Sequence, residues 1–256
     1  MQITIETILI ICPLTFLTGL VDSIAGGGGL ISLPSYLFIG LPSHAALGTN
    51  KFSSSIGTLI ATLRYAKNKQ VHYKSALAAA IAALLGSYSG ALLALAFDER
   101  FLRVLLIIML PIMALFILTR KKFGEESRIS DLSGKKVIIL SIITGLVLGA
   151  YDGFFGPGAG TFLILAFTGV IGLDLATASG NTKVVNLASN IAALIAFITS
   201  GSVVFAVGIP AAISCMLGNW LGSGLAIKNG AKVIRPVFIG VMALLFGKVL
   251  WDLIKG

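Results

Sequence analysis

Four charged residues stand in apolar surroundings where charge is costly: Asp22, Lys51, Asp152 and Lys183. A lysine or carboxylate at membrane depth is tolerated only where it pairs or lines water, so each is a functional candidate by default. Directly after the two aspartates come the glycine tracts Gly26-Gly27-Gly28-Gly29 and Gly156-Pro157-Gly158-Ala159-Gly160. Glycine costs about 1 kcal/mol relative to alanine inside a helix, so a continuous helix through either tract is disfavoured. A helix restarting at Leu30 or Thr161 turns free N–H groups and its positive end toward the break. That arrangement binds anions, while the alternative reading of the glycines is close packing of helix backbones. The two lysines point to an anion, and Asn50, Ser53, Ser54, Ser55, Asn181, Asn186 and Asn190 make the segments around them polar, suited either to coordinate oxyanion oxygens or to hydrogen-bond between helices. Asp22 and Asp152 read either as protonatable groups that couple flux to a proton gradient or as carboxylates capping a neighbouring helix.

The elements that must position these groups follow from composition. Of 256 residues 57% are hydrophobic and 11% charged, with a mean hydropathy of +1.00, whereas a soluble domain carries about 25% charged residues. A soluble enzyme is excluded; the expected fold is an all-α polytopic membrane protein with the lipid bilayer as its surroundings. The net charge of +9 belongs to cytoplasmic loops, and no nucleic-acid partner is expected. Charge-free runs at residues 7 to 21, 23 to 43, 75 to 97, 104 to 119, 137 to 151, 153 to 173 and 184 to 227 place the spans. The last is long enough for two crossings with a bend at Thr199-Ser200-Gly201-Ser202, and further helices are expected near 45 to 65 and 233 to 251.

The chain also repeats itself. At an offset of 132 residues Gly48-Thr49-Asn50-Lys51 falls on Gly180-Asn181-Thr182-Lys183, Gly86 on Gly218, Gly90 on Gly222 and Arg103 on Arg235; at 130, Asp22 falls on Asp152. The expected organisation is a first repeat over 1–120, a cytoplasmic linker over 121–136 and a second repeat over 137–256. Arg64, Lys67, Lys69 and Lys74 crowd one loop of the first half, while the basic residues Lys228, Lys232 and Arg235 of the second half crowd the following loop. If basic loops are cytoplasmic, the halves are inverted, with about five helical segments each and both termini outside. The competing arrangement is four plus four, with the glycine segments dipping in without crossing. Gly86-x-x-x-Gly90 and Gly218-x-x-x-Gly222 read as packing sites.

Enzymatic readings find little to stand on. The tract from Gly156 lacks the lysine of a phosphate-binding loop, no histidine is placed to activate a serine, and no cluster of metal-ligand residues occurs. Neither catalytic residues, metal nor cofactor is expected; Cys12 and Cys215 read as core residues. The same helix ends could line an anion channel, and an apolar exterior leaves room for a homo-oligomer.

The segment Asp22-Ser-Ile-Ala-Gly26-Gly27-Gly28-Gly29-Leu30-Ile31-Ser32-Leu33-Pro34, followed by Gly48-Thr49-Asn50-Lys51, resembles the sulfite exporter TauE/SafE family. So does Gly149-x-x-Asp152-Gly-x-x-Gly156-Pro157-Gly158-x-Gly160, followed by Asn181-Thr182-Lys183. The resemblance implies a small transporter in the cell membrane of a bacterium or archaeon. Its substrates would be sulfur-containing anions such as sulfite, sulfoacetate or another organosulfonate, driven by an ion gradient. It also implies seven to nine spans, fewer than five crossings per half would give. The resulting expectation is an anion site formed by Gly26, Gly27, Gly28, Gly29, Asn50, Lys51, Gly156, Gly158, Gly160, Asn181, Thr182 and Lys183. Asp22 and Asp152 are the proton-coupling candidates.

Overall fold

The structure is a computed structural model that describes residues 5–102, 104–105, 108, 132–230 and 232–233. These residues are helical with no strand among them. The chain runs through α1 (Ile5–Ala25), α2 (Gly29–Phe38), α3 (Ser43–Lys67), α4 (Tyr73–Ala96), α5 (Gly134–Phe154), α6 (Ala159–Gly169), α7 (Leu175–Thr199) and α8 (Phe205–Asn229). Lengths of 21, 10, 25 and 24 residues are followed by 21, 11, 25 and 25. Five of these helices, α1, α4, α5, α7 and α8, are long and apolar enough to cross a membrane. The bend expected at Thr199 to Ser202 separates α7 from α8.

One expectation is corrected. The charge-free runs 23 to 43 and 153 to 173 are long enough to cross, yet they hold helices of only 10 and 11 residues, about 15 Å each at 1.5 Å per residue. The glycines are the reason. Gly26 (φ +74°) and Gly156 (φ +92°) adopt the left-handed conformation that ends α1 and α5, a conformation side chains resist. The chain then doubles back. Tyr36 near the end of α2 joins the same buried cluster as Ile11 and Cys12 of α1, and Phe167 and Ile171 join that of Val137 at the start of α5. Each broken helix is thus a hairpin, so neither run is a crossing of its own.

Lipid is as apolar as leucine, so helices associate in it through close backbone approach. The seams here are built that way, and each joins a helix from one side of the chain's midpoint to a helix from the other. A Cβ on Gly145, Gly149 or Gly153 of α5 would meet the backbone of Ala79, Ala83 or Ser87 of α4 at 2.0 to 2.7 Å. Gly218 and Gly222 of α8 abut the carbonyls of Phe16 and Leu20 of α1 in the same manner. Gly86 and Gly90 face Leu146 and Ala150, so both glycine pairs expected to pack do so. Leucine and isoleucine instead point outward, as with Leu77, Ile81 and Leu85 of α4 and Ile139, Ile143 and Val147 of α5.

The constant register of the α4–α5 seam makes these two helices parallel, so Ala96 and Gly134 lie at opposite ends of the bundle. The expected run 104 to 119 falls between them and lies almost wholly outside the described residues, as does 233 to 251. Most of the expected linker 121–136 is outside them too, although Ser133 caps α5 and Lys135 and Lys136 begin it. At the centre α3 and α7 cross antiparallel. Gly48 lies against the Ser202 carbonyl and Gly180 against that of Gln70; the backbone N–H of Val204 donates to Thr49 Oγ1 and that of His72 to Asn181 Oδ1. Both contact pairs map onto each other at the offset of 132 residues.

Candidate anion site between the broken helices

The two hairpin tips meet back to back. A Cβ on Gly26 would lie 2.3 Å from the Gly160 carbonyl carbon, and one on Gly29 3.0 Å from Pro157 Cα. Only glycine lets both chains reach this point, which is why tracts that cost helix stability stand here. Thr161 Oγ1 donates to the Ala25 carbonyl at 3.0 Å and ties one tip to the other.

Around the tips the four charges pair crosswise. Lys51 Nζ of α3 lies 2.9 Å from Asp152 Oδ1 at the end of α5. Lys183 Nζ of α7 lies 2.8 Å from Asp22 Oδ2 at the end of α1. Lysine side chains 1% and 0% exposed are held among apolar helices, where an unpaired charge would be strongly destabilising. The pairs explain the lysines' tolerance of that depth. Each carboxylate has further support: Ser189 Oγ donates to Asp152 Oδ2, and the Gly28 backbone N–H approaches Asp22 Oδ1 at 3.4 Å. Lys51 Nζ also donates to Asn190 Oδ1 at 3.1 Å.

A cavity of about 30 Å³ opens between the tips and the two central helices, whereas a single water needs roughly 10–15 Å³. The hairpins contribute Gly26, Gly29, Gly156, Gly160 and the two aspartates; α3 contributes Asn50, Lys51 and Ser54, and α7 contributes Asn186 and Asn190. Of the expected site residues, the cavity therefore gathers Gly26, Gly29, Asn50, Lys51, Gly156 and Gly160 with Asp22 and Asp152. Gly27, Gly28, Gly158, Asn181, Thr182 and Lys183 are not among its lining residues. Asn181 spends its amide on His72 and Ser75 at the start of α4, and Lys183 is sealed behind Asp22. Ser54, Asn186 and Asn190, which the sequence offers either for contact with oxyanion oxygens or for bonds between helices, line the cavity as well, whereas reading the sequence for charge and glycine passed over Ser189 as the partner of Asp152. The signal was present in part, since Ser189 stands in the polar run of α7.

Buried opposite charges, broken helices and a polar cavity inside an apolar shell define a multi-pass membrane transport protein of the cell membrane. The family follows from comparison with known proteins: the chain matches the sulfite exporter TauE/SafE family over residues 11–249 and belongs to it. It is 38% identical to the probable membrane transporter protein YfcA of Escherichia coli strain K12, across 92% of this chain and 87% of that protein. A probable membrane transporter protein of Haemophilus influenzae is 32% identical across 98% of both chains. One from a Sinorhizobium species, ORF9, is 35% identical across 93% of this chain and 90% of its own length. No solved structure matches the chain.

Proposed function

We propose that this transporter moves a small sulfur-containing oxyanion, sulfite or an organosulfonate such as sulfoacetate, by alternating access driven by an ion gradient. The observation that carries the reading is Lys51, buried at the cavity wall beside glycine backbone and three amide side chains. A dispersed negative charge on several oxygens suits such a donor set. The family name supports the sulfur anion. Inverted halves give alternating access its symmetry: the antiparallel crossing of α3 and α7, with contacts that exchange at a fixed offset, supports inversion, as does the swap of basic loops between halves. Both termini then face outward.

Flux of labelled sulfite, organosulfonates and carboxylates into proteoliposomes, with and without a proton gradient, tests the reading. Saturable, gradient-driven uptake of a sulfur anion is expected. Non-saturating flux that follows membrane potential would make the protein a channel, and preferred uptake of a carboxylate would reassign its substrate. A reporter fused at Gly256 and found in the cytoplasm would overturn the inverted arrangement.

A further inference from the structure

Among the described residues, the charges at and beside the cavity sum to zero. Lys51 and Lys183 bring two positive charges, Asp22 and Asp152 two negative ones, and each ammonium already touches a carboxylate. A site in this state has no surplus attraction for an anion. Adding one would leave a net negative charge in a place that water reaches poorly, which is the costly case. Resting on the anion-transport reading above, we infer that the anion enters together with one proton per negative charge, and that Asp152 accepts the first proton as it yields Lys51 to the anion.

The geometry singles out this pair. Lys51 and Asp152 both line the cavity, whereas Lys183, the partner of Asp22, does not. When Asp152 Oδ1 takes a proton, its charge no longer holds Lys51 Nζ, and the anion oxygen takes the vacated position. The proton comes from hydronium on the side open to water, whose O–H bond breaks as that of Asp152 forms, and no other covalent bond changes. The neutral acid stays in place through Ser189, which bonds its other oxygen. Asn186, 6% exposed and at the cavity wall, carries a buried Oδ1 with no hydrogen-bond partner among the described residues. A bare anion cannot use a free acceptor; a dianion that keeps its second proton after Asp152 has taken the first can.

Titratable and charged groups around Asp152 are few. Helix α3 presents Lys51, α1 presents Asp22 across the cavity, and Tyr151 is its neighbour on α5 with its hydroxyl given to the Pro157 carbonyl. Helix α7 offers Lys183, already held by Asp22, and neither α4 nor α6 adds a titratable side chain to the lining. Anion binding and protonation of Asp152 are thus linked, and each must strengthen the other by the same factor.

The test uses the full chain in proteoliposomes with isethionate, a monoanion, and sulfite as probes, recording proton and anion uptake together under a clamped potential. One proton per isethionate and a rate indifferent to the potential are expected. Apparent affinity should fall tenfold per pH unit on the alkaline side, the slope of a single linked proton. In Asp152→Asn, whose amide stands in for the neutral acid, binding should lose that slope and proton-driven accumulation should stop. Isethionate uptake without proton uptake, or an affinity slope that survives in Asp152→Asn, would overturn the inference and leave anion transport intact. Should the variant fail to fold, the wild-type ratio decides alone. Absence of flux for both probes, in protein that reconstitutes folded, overturns the transport reading and this inference with it.

Discussion

The two halves share a frame but differ where their interior touches the charges. At matching positions Asn50 stands opposite Thr182, Ser54 opposite Asn186, Thr58 opposite Asn190 and Gly57 opposite Ser189. Asp152 therefore receives a hydroxyl from Ser189, while the equivalent place near Asp22 holds a glycine. The missing volume returns from another helix: Asn219 of α8 fills the space at Gly57, where a Cβ would come within 2.5 Å of its amide nitrogen. At the matching place on α4 sits the smaller Ser87, whose hydroxyl donates to the Ser189 carbonyl at 2.7 Å. Helix starts differ as well. Asp174 caps α7 from within, accepting from Ala176 and Thr177 at 3.0 Å. The start of α3 follows Pro42, which has no capping side chain; Glu99 reaches it from beyond α4, accepting from Ser43 and His44. The matching helices place two charge pairs, and the difference in their neighbours leaves one of them open on the cavity.

Truncating the lysines probes this difference most strongly. Lys51→Ala or Lys183→Ala strands a buried carboxylate and should lower stability by about 3–5 kcal/mol, read from unfolding in detergent. Lys51→Ala should be the worse, because Asp152 is 8% exposed and Asp22 17%. Equal, small losses would mean that both carboxylates reach water. Next in size, Gly57→Ser should cost about 1–3 kcal/mol by overpacking against Asn219, and Asn219→Ser in the same chain should recover most of it. A double-mutant cycle without coupling would show that the volume exchange is incidental.

Smaller effects follow at the helix starts. Asp174→Ala should cost about 1 kcal/mol by loss of its cap, and Glu99→Gln less. Glu99 also carries a pH signature. Burial alone would raise its carboxyl, but the bonds from Ser43 and His44 with the nearby imidazole together hold it below its ordinary value of 4.5. Its contribution is then complete above that ordinary value and fades as pH falls through the lower folded one. Stability profiles of wild type and Glu99→Gln should converge in acid; profiles that stay parallel to the lowest pH would remove Glu99 as an ionised cap.

Fold class was legible because hydropathy acts along the chain: the long apolar runs and the bend after Thr199 lie where the sequence places them. The breaks at Gly26 and Gly156 were legible too, from the glycine tracts, and segments dipping in without crossing stood as the competing arrangement; the choice between crossing and turning back was not, since a charge-free run reads the same in both cases. At the site, lysines and aspartates stood out by their cost in lipid. Their crosswise pairing did not, because Lys51 and Asp152 lie 101 positions apart in the chain and meet only when helices from different halves interlock. Ser189 was hidden for a related reason: its counterpart is Gly57, so repetition gave no hint of a hydroxyl.

The glycine seams carry one more consequence. Because α4 packs closely on α5 and α1 on α8, the first and second halves of the sequence are entwined. Each tightly joined pair takes one helix from either side of the molecule's midpoint. In the alternating access proposed above, relative motion is therefore expected between these joined blocks, with α3 and α7 as the sliding surface, and not between first half and second. A single half made alone would expose one face of each seam, with the glycines that receive the other half's backbone left bare.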